Sequence, residues 1–153
     1  MRLTSKILFI FSFTCCITTG YSQTTWKTFN HKNGFTIILP SYFSSGLLVA
    51  VGTLQWFTDD LDKEIQLTVE SFGIENKNQL LSDYQSEQTT FKKVTYKIYR
   101  QTWFVISGED EMGISYVKKI IRNGIQHELR ISYPPNKKAI YDTLLSKISA
   151  SFQ

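Results

Sequence analysis

The fold is decided by one segment, residues 114–133, which reads ISYVKKIIRNGIQHELRISY. Two runs that suit β-strands, Ile114 to Arg122 and Ile125 to Tyr133, flank the dipeptide Asn123-Gly124. Asn-Gly is favoured in two-residue hairpin turns, where both central residues need a positive φ. In the second run every other residue is apolar except for His127, so one face of the hairpin is expected to turn towards a core.

Further strands are predicted on the amino-terminal side of this hairpin. The segment from Glu64 to Phe72 alternates apolar and polar residues, which is typical of a sheet with one wet face and favours an antiparallel arrangement. The other predicted strands are Trp26 to Phe29, Gly34 to Leu39, Leu48 to Phe57 and a strand beginning at Val94.

One short run has no polar face. Residues Trp103 to Ile106 are all apolar, which predicts a central strand covered on both sides. We therefore expect the substitution Trp103→Ala to cost roughly 3 to 5 kcal/mol of stability. An acidic turn, Gly108 to Gly113, is predicted to follow this strand.

Two segments change to helical spacing. The first runs from Asn76 to Gln88, with Asn78 available as its cap, and the second follows Pro134-Pro135 with Asn136 as its cap. The closing helix is predicted to bury the residues Ile140, Leu144, Ile148 and Phe152, which recur every fourth position. No repeat or linker divides the chain, so we expect one α+β domain: an antiparallel sheet with helices, the last laid across one face.

The first 22 residues have the three zones of a secretory signal peptide. Arg2 and Lys6 precede an apolar run from Ile7 to Ile17, and small and polar residues follow up to Ser22. Eleven residues are too few for a membrane-spanning helix, which needs about 20. We expect cleavage before Gln23 and export to the periplasm or the cell exterior, with no stable membrane span in the mature protein.

The leader carries much of what is unusual in the composition. The whole chain has 153 residues, a net charge of +4 and two adjacent cysteines, Cys15 and Cys16. Removing 22 residues leaves 131 without cysteine, and the charge falls to +2 because Arg2 and Lys6 leave too. The residues before the cysteines lack the aliphatic-then-small pattern of a lipid-attachment site, so we do not expect lipid anchoring. A charge of +2 together with export argues against a nucleic-acid partner.

Several short motifs resemble one known fold group. They occur along nearly the whole mature chain, from about Trp26 to Phe152, and they include Gly34-Phe35-x-Ile37-x-Leu39-Pro40, Lys93-Val94-Thr95-Tyr96-Lys97, Trp103-Phe104-Val105-Ile106-Ser107-Gly108, Leu129-x-Ile131-x-Tyr133-Pro134, Lys138-x-x-Tyr141-Asp142 and Ile148-x-x-Ser151-Phe152. The chain resembles bacterial exported members of the PsbP-like group, also described as Mog-type or Ran-release-factor-like.

The resemblance implies an α/β/α sandwich around an antiparallel sheet. The group includes an extrinsic photosystem subunit, a binder of a nuclear-transport GTPase and many envelope proteins, so the resemblance implies mostly non-enzymatic binding roles. It supplies no shared catalytic residues to place on this chain.

Enzyme chemistry would have to use one of two histidines. His127 lies on the apolar side of its strand, where a hydrogen-bonded core histidine is the expected role, and His31 lies in a polar turn, where we expect a solvated residue. The alternative is a small periplasmic hydrolase or metal-dependent enzyme that uses His127 with nearby carboxylates. It requires His127 in an open pocket, within hydrogen-bonding reach of an Asp or Glu.

A metal site is not expected from the acidic residues. Asp60, Asp62 and Glu64 alternate as calcium ligands do, but Ile65 stands where an EF-hand loop needs glycine and Ser71 where it needs the bidentate Glu. We interpret the segment as a solvated hairpin turn, and we expect no metal and no cofactor.

Aromatic residues are the most unusual feature that survives cleavage, and those left exposed would mark a contact surface. In the pairs Tyr42-Phe43 and Trp56-Phe57 adjacent side chains cannot face the same side, so one of each pair is a candidate. The candidate binding residues are Tyr42, Phe43, Trp56 and the acidic residues Glu109, Asp110 and Glu111.

The leading hypothesis is an exported, non-enzymatic envelope module that binds a protein partner or a small ligand. It would bind through a sheet face or through the loops that carry these candidate residues. A structural accessory subunit of an envelope complex is the remaining alternative, and a broad apolar patch in place of a pocket would distinguish it.

Overall fold

Nine strands and two α-helices make up the part of the chain that the computed structural model describes, residues 24–48 and 54–153. The predicted leader, residues 1–22, lies outside these residues. In chain order the elements are β1 (Trp26–Asn30), β2 (Thr36–Pro40), β3 (Phe43–Leu48), β4 (Leu54–Asp59), β5 (Gln66–Gly73), α1 (Gln79–Glu87), β6 (Lys93–Arg100), β7 (Trp103–Asp110), β8 (Gly113–Arg122), β9 (Ile125–Tyr133) and α2 (Lys138–Ser151), with single 3-10 turns at Gln88–Thr90 and Pro135–Lys137.

Seven of the strands form one antiparallel sheet in the order β3-β4-β5-β9-β8-β7-β6, and β1 and β2 form a separate hairpin. The β8–β9 hairpin is confirmed, with Ile114 opposite Tyr133 at one end and Arg122 opposite Ile125 at the other. The turn between them has φ of 51° at Asn123 and 74° at Gly124, as an Asn-Gly turn requires.

The two faces of the sheet carry different helices. On the side that holds Leu129 and Ile131, here called the α2 face, the core packs under α2 and the β1–β2 hairpin. On the side that holds Phe104 and Ile106, the α1 face, a smaller core includes Leu80 of α1. The α/β/α sandwich follows, because alternate residues of one strand point to opposite faces and each face is partly covered by a helix.

The closing helix packs three residues of the predicted stripe, Leu144, Ile148 and Phe152, against the core, but not Ile140. Tyr141, Ile148 and Phe152 are buried, whereas Ile140 is 54% exposed. A helix has 3.6 residues per turn, so a strict spacing of four drifts around the axis and leaves Ile140 on the solvent side. Asn136 lies in the 3-10 turn before α2 and is not its cap.

Three further expectations need correction. Asn78 stands at the N-cap of α1, but its side chain makes no capping hydrogen bond. The predicted strand from Leu48 to Phe57 is two elements, because β3 ends at Leu48 and β4 begins at Leu54, and residues 49–53 lie outside the described residues. The acidic turn is short, since β7 continues through Asp110 and β8 begins at Gly113.

The strand β7 is not central. It lies next to the edge strand β6, and Phe104 and Ile106 are fully buried on its α1 face. Trp103 is only partly buried on the α2 face, so the expected cost of Trp103→Ala has to be lowered. The incomplete cover over this end of the sheet opens the site described next.

Candidate functional site

The α2 face is left open over the strands β6, β7 and β8. The opening is a cleft of about 310 Å³ beside the last turns of α2. We call it the Trp103 cleft, and it is lined by Tyr96, Ile98, Trp103, Val105, Tyr116, Lys118, Ile120 and Ser149. Its volume is at the small end of the range for ligand pockets.

The strand register explains why these side chains meet. Val105 is opposite Ile98 on β6 and opposite Lys118 on β8, and Trp103 is opposite Ile120. Residues directly opposite each other in antiparallel strands place their side chains on the same face. Three strands therefore supply one continuous apolar floor.

The polar wall of the Trp103 cleft joins β8 to the end of α2. The hydroxyls of Tyr116 and Ser149 are 2.5 Å apart. The Lys118 ammonium donates to the backbone carbonyl of Ser149 at 2.6 Å and to that of Phe152 at 3.1 Å. These carbonyls belong to the end of the helix, where a positive charge is favourable. Burial lowers the pKa of Lys118 and raises the pKa of Tyr116.

A second opening continues past Trp103. It has a volume of about 300 Å³ and shares Trp103 and Ile120 with the first cleft. Arg122 lines it, and the Arg100 guanidinium lies 6.0 Å from the centre of the Trp103 ring. The Trp103 ring therefore stands between two open spaces that both have basic side chains nearby.

The predicted site residue Tyr42 lies away from this cleft. Its ring is partly buried, 5.5 Å from the ring of Phe43, and it borders a groove of about 250 Å³ with Leu61 and Ile140. Phe43 is 1% exposed and belongs to the core of the α2 face, so its ring is not available to a partner. Of this predicted pair, only Tyr42 offers surface.

Trp56 is on the opposite side of the sheet. It is 38% exposed and its neighbour Phe57 is buried, as expected for adjacent strand residues. Trp56 lines a groove of about 240 Å³ together with Met112, which is 57% exposed. The structure therefore brings Trp56 close to the β7–β8 turn and separates it from Tyr42.

The three predicted acidic residues at this turn are each engaged locally. Glu109 lies 4.0 Å from the Lys93 ammonium, and Glu111 lies 3.0 Å from that of Lys92. Asp110 accepts a hydrogen bond from the backbone N–H of Met112. In the described residues no three His, Cys, Asp or Glu side chains are grouped so as to hold a metal ion.

The segment whose carboxylates alternate as calcium ligands do also makes local contacts. Asp59 is buried and accepts hydrogen bonds from the Tyr141 hydroxyl and from the backbone N–H of Leu61. Asp62 pairs with Lys137, and that hydrogen bond is the main reason its pKa is lowered. These carboxylates hold the β4–β5 connection to the start of α2.

The histidines do not provide an open catalytic group. His127 is 1% exposed, its Nδ1 lies 2.9 Å from the Ser71 hydroxyl, and it lines none of the clefts described above. Burial lowers its pKa. The enzyme alternative required an open pocket with a carboxylate partner, and the surroundings of His127 do not meet that requirement.

His31 is not the solvated residue that was expected. Its ring stacks on Phe35 with the ring centres 4.7 Å apart and an angle of 10° between the planes. Its Nδ1 accepts from the backbone N–H of Asn33 at 3.2 Å, and burial followed by the charge of Lys32 lowers its pKa. His31 thus helps to cover the core under the β1–β2 hairpin.

An ion-pair cluster on the α1 face was not foreseen. The Lys119 ammonium lies 3.1 Å from Asp83 and 3.0 Å from Glu128, and the Arg130 guanidinium lies 2.6 Å from Glu87 and 3.0 Å from Glu128. Burial disfavours the charge on Lys119, but the two carboxylates outweigh it and raise its pKa. Because cations and carboxylates alternate, the cluster attaches α1 to the sheet. Both Lys119 and Arg130 have carboxylate partners in it.

Neither helix in residues 24–48 and 54–153 is long and apolar enough to cross a membrane. No protein-family model matches the chain, and no curated protein is similar to it in sequence.

The chain is similar in structure to cyanobacterial PsbP (CyanoP) from Synechocystis sp. PCC 6803, with a TM-score of 0.62 and 10% sequence identity over 88% of this chain and 95% of that one. A structure from Bacteroides thetaiotaomicron VPI-5482 matches with a TM-score of 0.52 and 12% identity over 78% of this chain, but the match spans only 44% of that longer chain. The protein therefore has a PsbP-like fold, as the resemblance implied. Identities this low show the fold alone.

Proposed function

We propose that this protein is an exported, non-catalytic module of a bacterial envelope that binds a protein partner or a small ligand at the Trp103 cleft. The observation that carries the proposal is the incomplete cover of the α2 face. Ile98, Val105 and Ile120 form the apolar floor of an open cleft, in which Val105 and Ile120 are buried at the bottom and the rings of Tyr96 and Trp103 reach solvent at the side. Concave apolar surfaces with a few polar groups are the usual form of a binding site.

Export is the part of the proposal that rests on sequence. It is supported by the charged, apolar and small-residue zones that end at Ser22. Amino-terminal sequencing of the protein from an envelope fraction should give Gln23 as the first residue. The variant Phe9→Arg, which interrupts the apolar run, should stay uncleaved in the cytoplasm. A lipid-modified Cys15 or Cys16 at the amino terminus would overturn this part.

Binding is tested by capture from the native envelope. The wild-type protein, the cleft variant Tyr96→Ala and the surface control Leu61→Ala are cross-linked in cells and compared by quantitative mass spectrometry. Tyr96 is 55% exposed at the cleft and Leu61 is 79% exposed elsewhere, so neither change should unfold the protein. A protein partner should be lost with Tyr96→Ala and retained with Leu61→Ala.

A bound small ligand is tested with the same three proteins, purified without cross-linking. Native mass spectrometry of the protein purified from its own host should then show a bound mass that Tyr96→Ala reduces and Leu61→Ala keeps. The proposal is overturned if no partner and no bound mass depends on Tyr96.

A structural accessory subunit is a second candidate because Trp56 and Met112 leave apolar surface exposed on the other side of the sheet. In that case the double variant Trp56→Ser with Met112→Ser should lose the captured partner, and Tyr96→Ala should keep it. The two candidates therefore predict opposite results from the same set of variants.

A further inference from the structure

Two adjacent lysines of β8 have contrasting surroundings. Lys119 points to the α1 face, where Asp83 and Glu128 lie within 3.1 Å of its ammonium. Lys118 points to the α2 face, where its hydrogen-bond acceptors are two backbone carbonyls. In residues 24–48 and 54–153 no carboxylate forms an ion pair with Lys118. Lys118 is therefore a partly buried cation without a counter-ion.

The described side chains in the rest of the cleft do not supply the missing negative charge. No carboxylate side chain among the described residues lines the Trp103 cleft or the opening that continues from it. The charged residues that do line them are Lys118 and Arg122, and Arg100 lies over the Trp103 ring. A desolvated cation near further positive charge favours an anion, since a counter-ion offsets the cost of its burial.

The ammonium also keeps bonding capacity for a ligand. A lysine has three N–H donors, and Lys118 gives hydrogen bonds to two carbonyls, those of Ser149 and Phe152. These two bonds fix the ammonium at the wall of the cleft beside the end of α2. A third donor remains for an acceptor that enters the cleft, and a bond to an ionised acceptor is stronger than one to a carbonyl.

We propose that the Trp103 cleft binds a small organic anion that has an apolar, preferably flat body. The body would pack against Trp103, Ile98 and Val105, and the acidic group would accept a hydrogen bond from Lys118. This inference rests on the proposed binding role and adds the chemical class of the ligand to it. The volume of about 310 Å³ limits the ligand to a small molecule.

The test compares two compounds with the same body and different charge. Binding of 2-naphthoate and of its neutral amide, 2-naphthamide, is measured by titration calorimetry on the purified protein. We expect naphthoate to bind about tenfold more tightly, because a charge-assisted hydrogen bond is worth roughly that factor. Equal affinities, or no binding of either compound, would overturn the inference.

The position of binding is read from the wild-type protein, so it does not depend on a variant that folds. Of the three tryptophan indole N–H signals in a nitrogen-proton correlation spectrum, that of Trp103 should shift on addition of naphthoate. The signals of Trp26 and Trp56 should stay in place. A shift of either of those without a shift of Trp103 would show that the compound binds elsewhere and would refute the assignment.

Charge variants test the role of Lys118 itself. Lys118→Met should remove the preference for naphthoate, whereas Lys97→Met removes an equal charge outside the cleft and should keep it. A preference that survives in folded Lys118→Met would refute the role of this ammonium. Loss of the anion preference would leave the wider binding proposal intact, because that proposal fails only if the capture and native-mass experiments find nothing that depends on Tyr96.

Discussion

The buried hydrogen bond between Tyr141 and Asp59 joins α2 to β4 and offers a sharp test of what holds the helix on the sheet. Asp59 is 1% exposed, and its carboxylate accepts from the Tyr141 hydroxyl and from the backbone N–H groups of Leu61 and Asp62 at 2.8 and 3.0 Å. Both backbone bonds use Oδ1 and the tyrosine bond uses Oδ2. Tyr141→Phe therefore removes the one donor to Oδ2 among the residues that the structure describes.

The cost of that change follows from burial. A hydrogen bond to a charged group contributes about 1.5 to 3 kcal/mol, and the Asp59 residue is 1% exposed, so solvent contributes little to its carboxylate in the folded protein. We expect Tyr141→Phe to lower the free energy of unfolding by about 1.5 to 3 kcal/mol, measured by urea denaturation followed by tryptophan fluorescence. In a double-mutant cycle with Asp59→Asn the two changes should couple, with an interaction energy of about 1 kcal/mol or more.

Tyr133 supplies a matched control. Its ring stacks on that of Tyr141 with the centres 5.2 Å apart, and its hydroxyl donates to Asp142 at 2.8 Å. Asp142 is exposed and also pairs with Lys138, so water can replace the lost donor. Tyr133→Phe should cost less than about 1 kcal/mol. Equal costs for the two tyrosines, or no coupling between Tyr141 and Asp59, would refute the reasoning.

Three further predictions concern pH, the two sides of β7 and the packing of its backbone. Burial lowers the pKa of His127, so the unfolded chain binds a proton more readily and stability should fall as the pH drops below about 6.5. The pKa of His31 is lowered too, so His127→Gln should reduce this fall in denaturation midpoints between pH 8 and 5 without abolishing it. Phe104→Ala, in the core, should cost about 3 to 5 kcal/mol in urea denaturation, and Trp103→Ala, at the open cleft, about 1 to 3 kcal/mol; equal values would mean that the cleft is closed. Gly108→Ala places a Cβ 2.1 Å from a backbone oxygen of β6 and should cost about 3 kcal/mol or more in the same assay, whereas Gly73→Ala meets nothing within 4 Å and serves as its control.

Local signals predicted the elements with strong periodicity. The Asn123-Gly124 turn fixed the register of β8 and β9, and the alternation in Glu64 to Phe72 predicted β5 and its apolar face. These predictions succeeded because the turn type and the period of two are properties of the residues themselves. The predicted turn between β7 and β8 was too long, because the two strands pair with each other through a segment rich in acidic residues.

The candidate site depends on contacts that no local pattern contains. The spacing of Tyr116, Lys118 and Ile120 places them on one face of a strand, but it does not say whether a helix covers that face. Whether that face is covered depends on where α2 ends and on how Phe152 packs in the core. Both depend on residues far away in the sequence. For the same reason the sequence predicts only that one residue of each adjacent aromatic pair is exposed. The structure shows that Phe43 is the buried member of its pair and that Tyr42 keeps accessible surface.

The structural similarity to CyanoP concerns the backbone and does not specify the chemistry of the Trp103 cleft. At 10% identity to CyanoP, about nine in ten matched positions differ, so the shared property is the path of the backbone. The chemistry of the sheet face beside α2 depends on side chains such as Trp103 and Lys118, which a shared backbone does not determine. Among the described residues Lys118 has no ion-pair partner, and it is this charge, not the path of the backbone, that would favour an anionic ligand.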